Sequence, residues 1–393
     1  MNLKIKVKSK SELAYYVALF FVLVYKFVLL IPVLTPRDTG PKMLIPSICL
    51  LLIIILSMQR ITFANTALTL VGFVSYYVSK DTSLLLFVLL IVASKNIDMD
   101  RIVKFWLAVQ SLFILPCIAI YLPLYAIGSP LANTMVTGGS DRIKCTFFFA
   151  HPNNFSIQLA FCVLAYIYIN YYKFSKKKIY FILILAIAFI CVFPKTYAAS
   201  SALLTLLLLI MLQGHWKYVW KGFVRYGLPL VFAVAVYITW MEYKGASNAF
   251  TDLITGTFES RFSGAAYAMR VYPLNLFGHM MENIGNRILV GNEWIDLWYD
   301  LAYLRVFSAF GLVGGISFLA VLFRTIWREI KERNDRDLLF ISVVCIYALA
   351  EWTAFSITTA FPLLFTRIAL QKRNSMKNRV QNNISRRTEE IIE

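Results

Sequence analysis

The sequence predicts an all-α polytopic membrane protein with about twelve transmembrane helices and one large extracytoplasmic loop between the ninth and tenth. The first observation is composition: of 393 residues, 59% are hydrophobic and 15% charged, with a mean hydropathy of +0.67. Soluble globular proteins do not carry this balance. The second is that the net charge of +18 lies in short basic clusters between apolar runs. Such clusters are typical of membrane topology and argue against a nucleic-acid partner.

Apolar runs of about 20 residues cross the hydrocarbon core as helices, which places the predicted spans in order. They lie near 13–34, 43–58, 61–79, 82–94, 105–127, 147–171, 179–193, 199–213, 226–241, 301–323, 338–355 and 357–371. The fourth and eighth are short, so a count of about ten or eleven stays open. The first run follows basic residues but is long and lacks a small-residue cleavage site, which indicates a retained span rather than a signal peptide.

Basic residues collect on the cytoplasmic side of a membrane, so they predict the orientation. With both termini cytoplasmic, the inner segments are Lys4–Lys10, Arg60, Lys95–Lys104, Lys173–Lys178, Lys217–Arg225, Arg324–Arg336 and the tail from Lys372. The chain then divides into an N-terminal transmembrane bundle (1–241), a large extracytoplasmic loop with interfacial helices (242–300), C-terminal transmembrane helices (301–371) and a basic cytoplasmic tail (372–393). The expected location is a bacterial plasma (inner) membrane.

Six cysteines are scattered singly along the chain, most of them in apolar runs. No C-x-x-C pair is present, so the sequence indicates neither a zinc site nor a disulfide framework. Buried small hydrophobic residues are the better interpretation.

The large loop contains the stretch RFSGAAYAMRVYPLNLFGH, residues 261–279. Arginine suits phosphate because its planar fork offers two charged donors. Arg261 and Arg270 are nine residues apart, about 180° on one helix, so they do not both bind one diphosphate unless the helix breaks between them or a partner loop completes the site. Pro273 ends any helix after Arg270. We favour Arg261 as the phosphate ligand, with Arg270 second and a lipid-headgroup contact as the alternative.

Aromatic residues of the large loop suit short interfacial helices, and as a group they also offer flat faces for sugar rings. The sequence does not separate these two interpretations. The residues are Tyr267, Tyr272, Phe277, Trp294, Trp298 and Tyr299.

The sixth span begins within DRIKCTFFFAHPNNF. Pro152 suits a first helical position because its backbone angle is preset for the helix. The unpaired N–H groups of this helix start offer an anion site beside Arg142 and Lys144. A plain capped helix start, with His151 and Asn153 at the interface, is the alternative.

The tenth span begins within DLWYDLAYLRVFSAFGLVGG. Asp300 and Tyr303 are three residues apart, which predicts that they share one helical face. An Asp near a helix start is also an ordinary favourable charge placement. The glycines Gly311, Gly314 and Gly315 predict close helix packing.

Taken in order, these motifs resemble a polysaccharide polymerase of the Wzy type, related to the O-antigen ligase family. The resemblance rests on F-x-x-x-HPN at the sixth span, an Arg-containing loop segment ending in LFGH, and DLAYL followed by FGLVGG. It covers essentially the whole chain. The chain departs from the family at PKTYAASSALL, where members often carry an arginine; Lys195 supplies a point charge there instead.

The resemblance implies a metal-independent membrane glycosyltransferase without cofactor. Such enzymes transfer a growing glycan from undecaprenyl diphosphate to a fresh lipid-linked repeat unit at the outer leaflet. Arg261 would bind the diphosphate, assisted by Arg142 or Arg270. His279 would take the acceptor proton or orient the acceptor, with Glu282 and Asp300 as rival bases and an ordinary interfacial histidine as the alternative for His279. The substrate-binding set is Arg142, Lys144, His151, Asn153, Lys195, Arg270, Tyr272 and Tyr303. Membrane lipids, a flippase and a chain-length regulator are the expected partners.

Two alternatives stay open. A transferase like the O-antigen ligases would move finished glycan to a different acceptor. A flippase or other transporter of lipid-linked sugar would be no enzyme, and transporters usually show repeats and charged or broken helices near the membrane midplane. Lys26 and Glu351 are the main ionisable residues within the predicted spans.

Overall fold

The structure, a computed structural model, describes residues 9–32, 44–57, 62–136, 143–216, 219–246, 248–257, 261–280, 287–290, 293–296 and 300–371. Helices dominate these ranges. They are α1 (Lys10–Leu30), α2 (Leu44–Ser57), α3 (Phe63–Ser79), α4 (Ser83–Ala93), α5 (Met99–Ala126), α6 (Pro152–Ile169), α7 (Lys176–Val192), α8 (Tyr197–His215), α9 (Val219–Gly222), α10 (Leu228–Lys244), α11 (Ala249–Thr257), α12 (Arg261–Val271), α13 (Ala302–Glu332) and α14 (Asp335–Tyr347). A π-helical turn (Phe223–Gly227) joins α9 to α10, and two 3₁₀ segments (Trp352–Phe355 and Phe361–Leu370) follow α14.

Two short antiparallel hairpins depart from the all-α prediction. Strand β1 (Thr134–Val136) pairs with β2 (Ile143–Cys145), with Met135 opposite Lys144. Strand β3 (Arg287–Val290) pairs with β4 (Glu293–Asp296) inside the segment predicted as the large loop. Strands of three or four residues are too short to show a hydrophobic period, so the sequence did not reveal them.

Five of the described helices are long and apolar enough to cross a membrane. They are Lys10–Leu30, Met99–Ala126, Tyr197–His215, the continuous stretch Val219–Lys244, and Ala302–Glu332. Helical segments also lie at the positions of the other predicted spans, but they are shorter or less apolar. The class is therefore a helical membrane protein, and the count of about twelve spans stays a prediction.

The structure moves the edges of two predicted spans. The sixth begins at Pro152 rather than at 147, because Phe147 and Phe148 adopt positive φ angles of 53° and 69° and turn the chain before the helix starts. The eleventh ends at Tyr347, and an irregular stretch with short 3₁₀ segments follows it. Left-handed backbone of this kind interrupts a helix whatever the hydropathy of the side chains.

One end of the bundle carries most of the described basic clusters and is here called the basic end. Arg336, in the first turn of α14, lies 2.8 Å from Asp100 at the start of α5. Lys221 of α9 pairs with Asp335 at 2.7 Å. These contacts place the starts of α5 and α9 beside the junction of α13 and α14. Spans that cross a membrane in alternating directions, as predicted, require these helix ends to lie on the same side.

The opposite end, here called the loop end, joins the other helix termini. The N–H of Ala150, before α6, donates to Leu30 O at the end of α1, and Cys145 N donates to Phe193 O after α7. Ala302 N, at the start of α13, donates to Ala348 O after α14. Consecutive long helices therefore run antiparallel between two chemically distinct ends.

Helix α4 lies at the centre of the bundle. Every residue from Leu84 to Ala93 is buried, which is typical of a helix that is apolar on all faces. Gly314 of α13 packs against it: a Cβ at this glycine would approach the Leu84 Cδ2 atom to 2.9 Å. The prediction of close packing therefore holds for Gly314, whereas Gly311 has a different role because α13 is broken there.

Candidate functional site

The first residue of α12 faces the residue that precedes α13 by two positions. Arg261 Nε lies 4.0 Å from Asp300 Oδ2, and the two side chains are 26% and 24% exposed. Asp300 lies outside α13, whose N-cap is Leu301, so it does not share a helical face with Tyr303 as the sequence predicted. The two charged residues instead meet across the junction between the loop segment and the helix.

A small apolar cluster positions α12 at this junction. Phe262, Ala265 and Ala268 of α12 are buried together with Ala235 and Ile238 of α10. Leu301 and Leu304, which flank the start of α13, belong to the same cluster. Because alanines allow close approach, α12 lies directly against α10 and carries Arg261 to the start of α13.

Two further ionisable residues join the pair. Glu351, which follows α14 and is 7% exposed, interacts electrostatically with Asp300, Arg261 and Arg305. Arg305 lies in the second turn of α13 and also acts on Asp300. Two carboxylates and two guanidinium groups therefore share one partly dehydrated region at the loop end.

Burial raises the pKa of the Asp300 carboxyl above its ordinary value of 3.8. The guanidinium groups of Arg261 and Arg305 oppose that shift because they favour the ionised form. The result is a carboxylate that binds a proton more readily than an exposed Asp, which suits a group that accepts a proton in a reaction.

A small cavity is lined in part by Arg305. Asp81, in the link between α3 and α4, contributes a carboxylate to its wall, and the Arg305 guanidinium lies 3.8 Å from the centre of the Trp352 ring. The remaining lining residues are Ser83, Ala302, Val306, Ala309, Phe310 and Phe355. Lys26 of α1 interacts electrostatically with both Asp81 and Arg305.

We call these residues the ionisable cluster: Lys26, Asp81, Arg261, Asp300, Arg305 and Glu351. Its three cationic side chains match an anionic group such as a phosphate, and its carboxylates are candidate proton acceptors. Charges held in place in a region of low dielectric stabilise developing charge without reorganising. The arrangement therefore suits a reaction that releases an anionic leaving group.

Arg270 lies away from this cluster. Its Nη2 donates to the carbonyls of Tyr243 (2.6 Å) and Glu242 (3.3 Å) at the end of α10, and its guanidinium lies over the Tyr243 ring at 5.6 Å. Helix α12 is unbroken from Arg261 to Val271, so the two arginines lie on opposite faces as the sequence predicted. Arg270 therefore caps a helix.

His279 lies in the segment that follows α12. Its Nε2 makes a hydrogen bond with Pro273 O and lies 3.1 Å from Asn275 Nδ2, and its backbone N–H donates to Ser308 O. Within the described ranges, no hydrogen bond or ion pair joins His279 to Arg261 or Asp300. The imidazole ring therefore takes part in holding its own loop.

The two predicted tyrosines differ in exposure. Tyr272 is half-buried, and its ring lies 5.9 Å from that of His279. Tyr303 is 2% exposed and donates its hydroxyl to Cys345 O at 2.7 Å. Tyr303 thus links α13 to α14 inside the protein.

A second group of predicted residues lies around the start of α6. His151 is the N-cap, where its Nδ1 accepts from Asn153 N at 3.1 Å, which requires that nitrogen to be unprotonated. Lys144 lies in β2 and acts electrostatically on His151. Lys195 has a φ of 53° and acts on Cys145, the residue after Lys144. The structure therefore brings Lys144, His151, Asn153 and Lys195 to one place at the loop end.

Arg142 and Glu282 of the predicted site lie outside the described residues, as do Trp298 and Tyr299 of the aromatic set. Among the ranges that the structure does describe, no group of three or more His, Cys, Asp or Glu side chains is placed to hold a metal ion.

The sequence interpretation missed Asp81 and Arg305 and assigned no role to Lys26 and Glu351. The available signal was their position: an ionisable residue beside or within a long apolar run marks a functional site more often than not. Arg305 stands five residues after Asp300, in the motif already singled out.

Comparison of the chain with protein-family models, with curated proteins and with solved structures finds no match. The structural class of the protein is therefore assigned from its own fold and site. The part of the chain that the structure describes is mainly helical, with five helices of membrane-spanning length and an ionisable cluster at the end opposite the Arg336–Asp100 pair.

Proposed function

We propose that this protein polymerises oligosaccharide repeat units carried on undecaprenyl diphosphate, as the resemblance to Wzy-type polymerases implies. The observation that carries the proposal is the Arg261–Asp300 pair, to which Arg305 and Glu351 are added electrostatically. This pair combines a fork-shaped cation suited to diphosphate with a carboxylate suited to accepting a proton.

In the proposed reaction, a hydroxyl of the fresh lipid-linked unit attacks the anomeric carbon of the growing chain. The bond between that carbon and the diphosphate oxygen breaks, a glycosidic bond forms, and the acceptor proton passes to a carboxylate. Arg261 and Arg305 bind the diphosphate as its negative charge develops. Undecaprenyl diphosphate leaves with the bonding electron pair.

Asp300 is the proton acceptor in this proposal, chosen over His279 and Glu282. Its carboxyl lies against the arginine that binds the leaving group, and its pKa is raised by burial. The His279 imidazole is engaged with Pro273 and Asn275. Glu282 was singled out as a rival base from the sequence, and it lies outside the residues that the structure describes.

The proposed membrane arrangement has about twelve spans, both termini in the cytoplasm, and the ionisable cluster at the outer face of a bacterial plasma membrane. The contacts of the basic end support this orientation, because they gather Arg336 and Lys221 at the end opposite Asp300. Lipid-linked units presented at the outer leaflet by a flippase would then meet the cluster directly. A chain-length regulator would be a further partner.

The purified protein in vesicles, supplied with lipid-linked repeat units and no metal or nucleotide sugar, tests the proposal. A ladder of lipid-linked oligomers is expected. A product in which glycan has moved to a different acceptor would identify an O-antigen-ligase-like transferase instead. No elongation by folded protein that carries an intact Arg261 and Asp300 would overturn the proposal.

A transporter of lipid-linked sugar is the second candidate, and one observation favours it. Helix α13 is broken at Gly311, and Lys26 and Asp81 place charges between the helices near that break. Broken helices and charges inside the bundle are typical of transporters. Such a protein would move labelled lipid-linked units across the vesicle membrane without lengthening them, so the same vesicles distinguish the two functions.

A further inference from the structure

Helix α13 does not run straight through Gly311. This residue has φ 74° and ψ 176°, which no helix contains, so the helix stops and restarts. A break leaves backbone N–H and C=O groups without their usual partners, and within a membrane an unsatisfied backbone group is strongly destabilising. The partners in this protein come from residues 273–280, here called the docking loop.

Three backbone hydrogen bonds join the docking loop to the break. Leu312 N donates to Asn275 O at 2.8 Å and Val313 N donates to Leu276 O at 3.1 Å. In an uninterrupted helix the N–H of Leu312 would donate to Ser308 O. Here the Ser308 carbonyl accepts from His279 N at 2.9 Å. The loop therefore replaces the helix's own hydrogen bonds on both sides of the break.

Two glycines allow this close approach. A Cβ at Gly278 would lie under 3.0 Å from backbone atoms of Ala309 and Gly311, and one at Gly311 would lie under 3.0 Å from backbone atoms of Leu276, Phe277 and Gly278. Both glycines have positive φ, 93° at Gly278 and 74° at Gly311. Since the atoms in the way are backbone, a larger residue cannot be accommodated by side-chain movement.

The docking loop also has an internal framework. The Asn275 side chain donates to Gly278 O at 2.8 Å and accepts from Phe277 N at 3.1 Å. The His279 ring bonds Pro273 O across the loop. These bonds hold the loop carbonyls in the orientation that α13 needs.

We propose that the docking loop is a positioning element, which holds α13 broken at Gly311 and so fixes Arg261 relative to Asp300 and Arg305. The connection to Arg261 is the unbroken helix α12, and the connection to Arg305 is one helical turn. The loop begins two residues after α12 ends at Val271, and Ser308 lies one turn beyond Arg305. The role in catalysis rests on the proposed function, whereas the docking itself does not.

Cross-linking tests the docking without any assay of activity. Leu276→Cys combined with Val313→Cys places two thiols on residues joined by a backbone hydrogen bond, within reach of a disulfide. A protease site inserted between residues 284 and 285 lets the cross-link hold the two fragments together on a non-reducing gel. The cross-link is expected in this double-cysteine protein, and adding Gly278→Ala or Gly311→Ala to it should lower the yield of the cross-link about tenfold.

Gly128→Ala is the matched control. Gly128 also has a positive φ, 67°, but nothing lies within 4 Å of its Cβ position. In the double-cysteine protein that also carries Gly128→Ala, the yield of the cross-link should be unchanged. Asn275→Ala, which adds no atoms, is a milder variant for the case that the glycine variants do not fold, and it should lower the yield in the same direction. An undiminished cross-link in folded Gly278→Ala and Asn275→Ala proteins would overturn the proposal.

A pH profile of polymer formation separates positioning from general stability. When Arg261 is no longer held beside Asp300, the carboxyl loses a favourable neighbour, and the acid limb of the profile should move to higher pH in Asn275→Ala. A variant that is only less stable would form less polymer at every pH, and the acid limb of its profile would stay at the parent position. If the parent protein forms no polymer, the proposed function fails while the cross-link still decides the docking.

Discussion

Arg261 and Arg270 extend from opposite faces of α12 to different partners. Arg261 Nε lies 4.0 Å from Asp300 Oδ2, whereas Arg270 Nη2 donates to Tyr243 O at the end of α10. Nine residues on a continuous helix span about two and a half turns, which places the two residues about 180° apart around the helix axis. One helix therefore delivers one guanidinium to the ionisable cluster and the other to a helix end. The two arginines therefore form a matched pair for mutation.

Arg261→Ala is expected to lower polymer formation about 100-fold or more, because it removes a charged donor aimed at the leaving group. Arg270→Ala should keep activity near the parent level and lower the free energy of unfolding by about 0.5 kcal/mol through loss of a helix cap. Gel analysis of surface glycan and of purified protein in vesicles measures both. Equal loss of polymer in the two variants, at equal protein level, would contradict the distinction.

The helices of this protein were accessible from sequence because hydropathy alone requires them. An apolar run in a membrane must satisfy its backbone internally, which a helix does. The break at Gly311 could not be predicted from the sequence, because it depends on hydrogen bonds with Asn275, Leu276 and His279. These residues lie more than 30 positions away in the chain. The sequence pattern FGLVGG predicted close helix packing, and Gly314 does pack against α4, while a Cβ at Gly315 would lie 2.7 Å from Phe307 Cδ1 within α13 itself. The pattern did not predict that the helix is broken at Gly311.

The candidate site was predicted in parts. Arg261 and Asp300 were both singled out, one as a phosphate ligand and the other as a rival base, but their pairing depends on α12 packing against α10. Local patterns do not report such packing. Asp81 enters the site from the link between α3 and α4, far from any motif that was recognised.

The pH dependence of polymer formation should report Asp300. Burial raises the pKa of its carboxyl above the ordinary 3.8, and a base must be ionised to act, so activity should rise with pH through that higher value. Arg261→Lys keeps a positive charge near the carboxyl, so the rise of activity with pH should stay close to its position in the parent protein. Asp300→Asn should abolish most of the activity and, with it, the rise of activity with pH. A pH profile like that of the parent protein in this variant would exclude Asp300 as the base.

Arg305 should be sensitive to the shape of its side chain as well as to its charge. Its guanidinium is stacked at 3.8 Å on the Trp352 ring and lines the cavity beside Asp81. Arg305→Lys is expected to lower polymer formation about tenfold or more, since an ammonium group lacks the fork and stacks poorly. Arg225, which lies 5.1 Å from the Trp327 ring at the basic end, is the control. Arg225→Lys should leave polymer length unchanged, and comparable losses in both variants would contradict a local role.

Tyr303 is expected to matter for stability rather than for substrate binding. Its ring is buried and its hydroxyl donates to Cys345 O, so Tyr303→Phe removes one buried hydrogen bond and leaves the ring contacts in place. The free energy of unfolding should fall by about 1 kcal/mol. Polymer formation per folded molecule should be unchanged. A loss of polymer at unchanged stability would return Tyr303 to the substrate-binding set.

The two ends of the bundle should face opposite sides of the membrane, and single cysteines can show which. Lys173 is exposed in the turn between α6 and α7, near the basic end, and Leu131 is 69% exposed after α5, at the loop end. Positive charge is retained on the cytoplasmic side, so Leu131→Cys should react with an impermeant maleimide in intact cells. Lys173→Cys should react only after permeabilisation, and the parent chain measures the background from the six native cysteines. The reverse pattern would place Arg261 and Asp300 in the cytoplasm, where lipid-linked units on the outer leaflet cannot reach them.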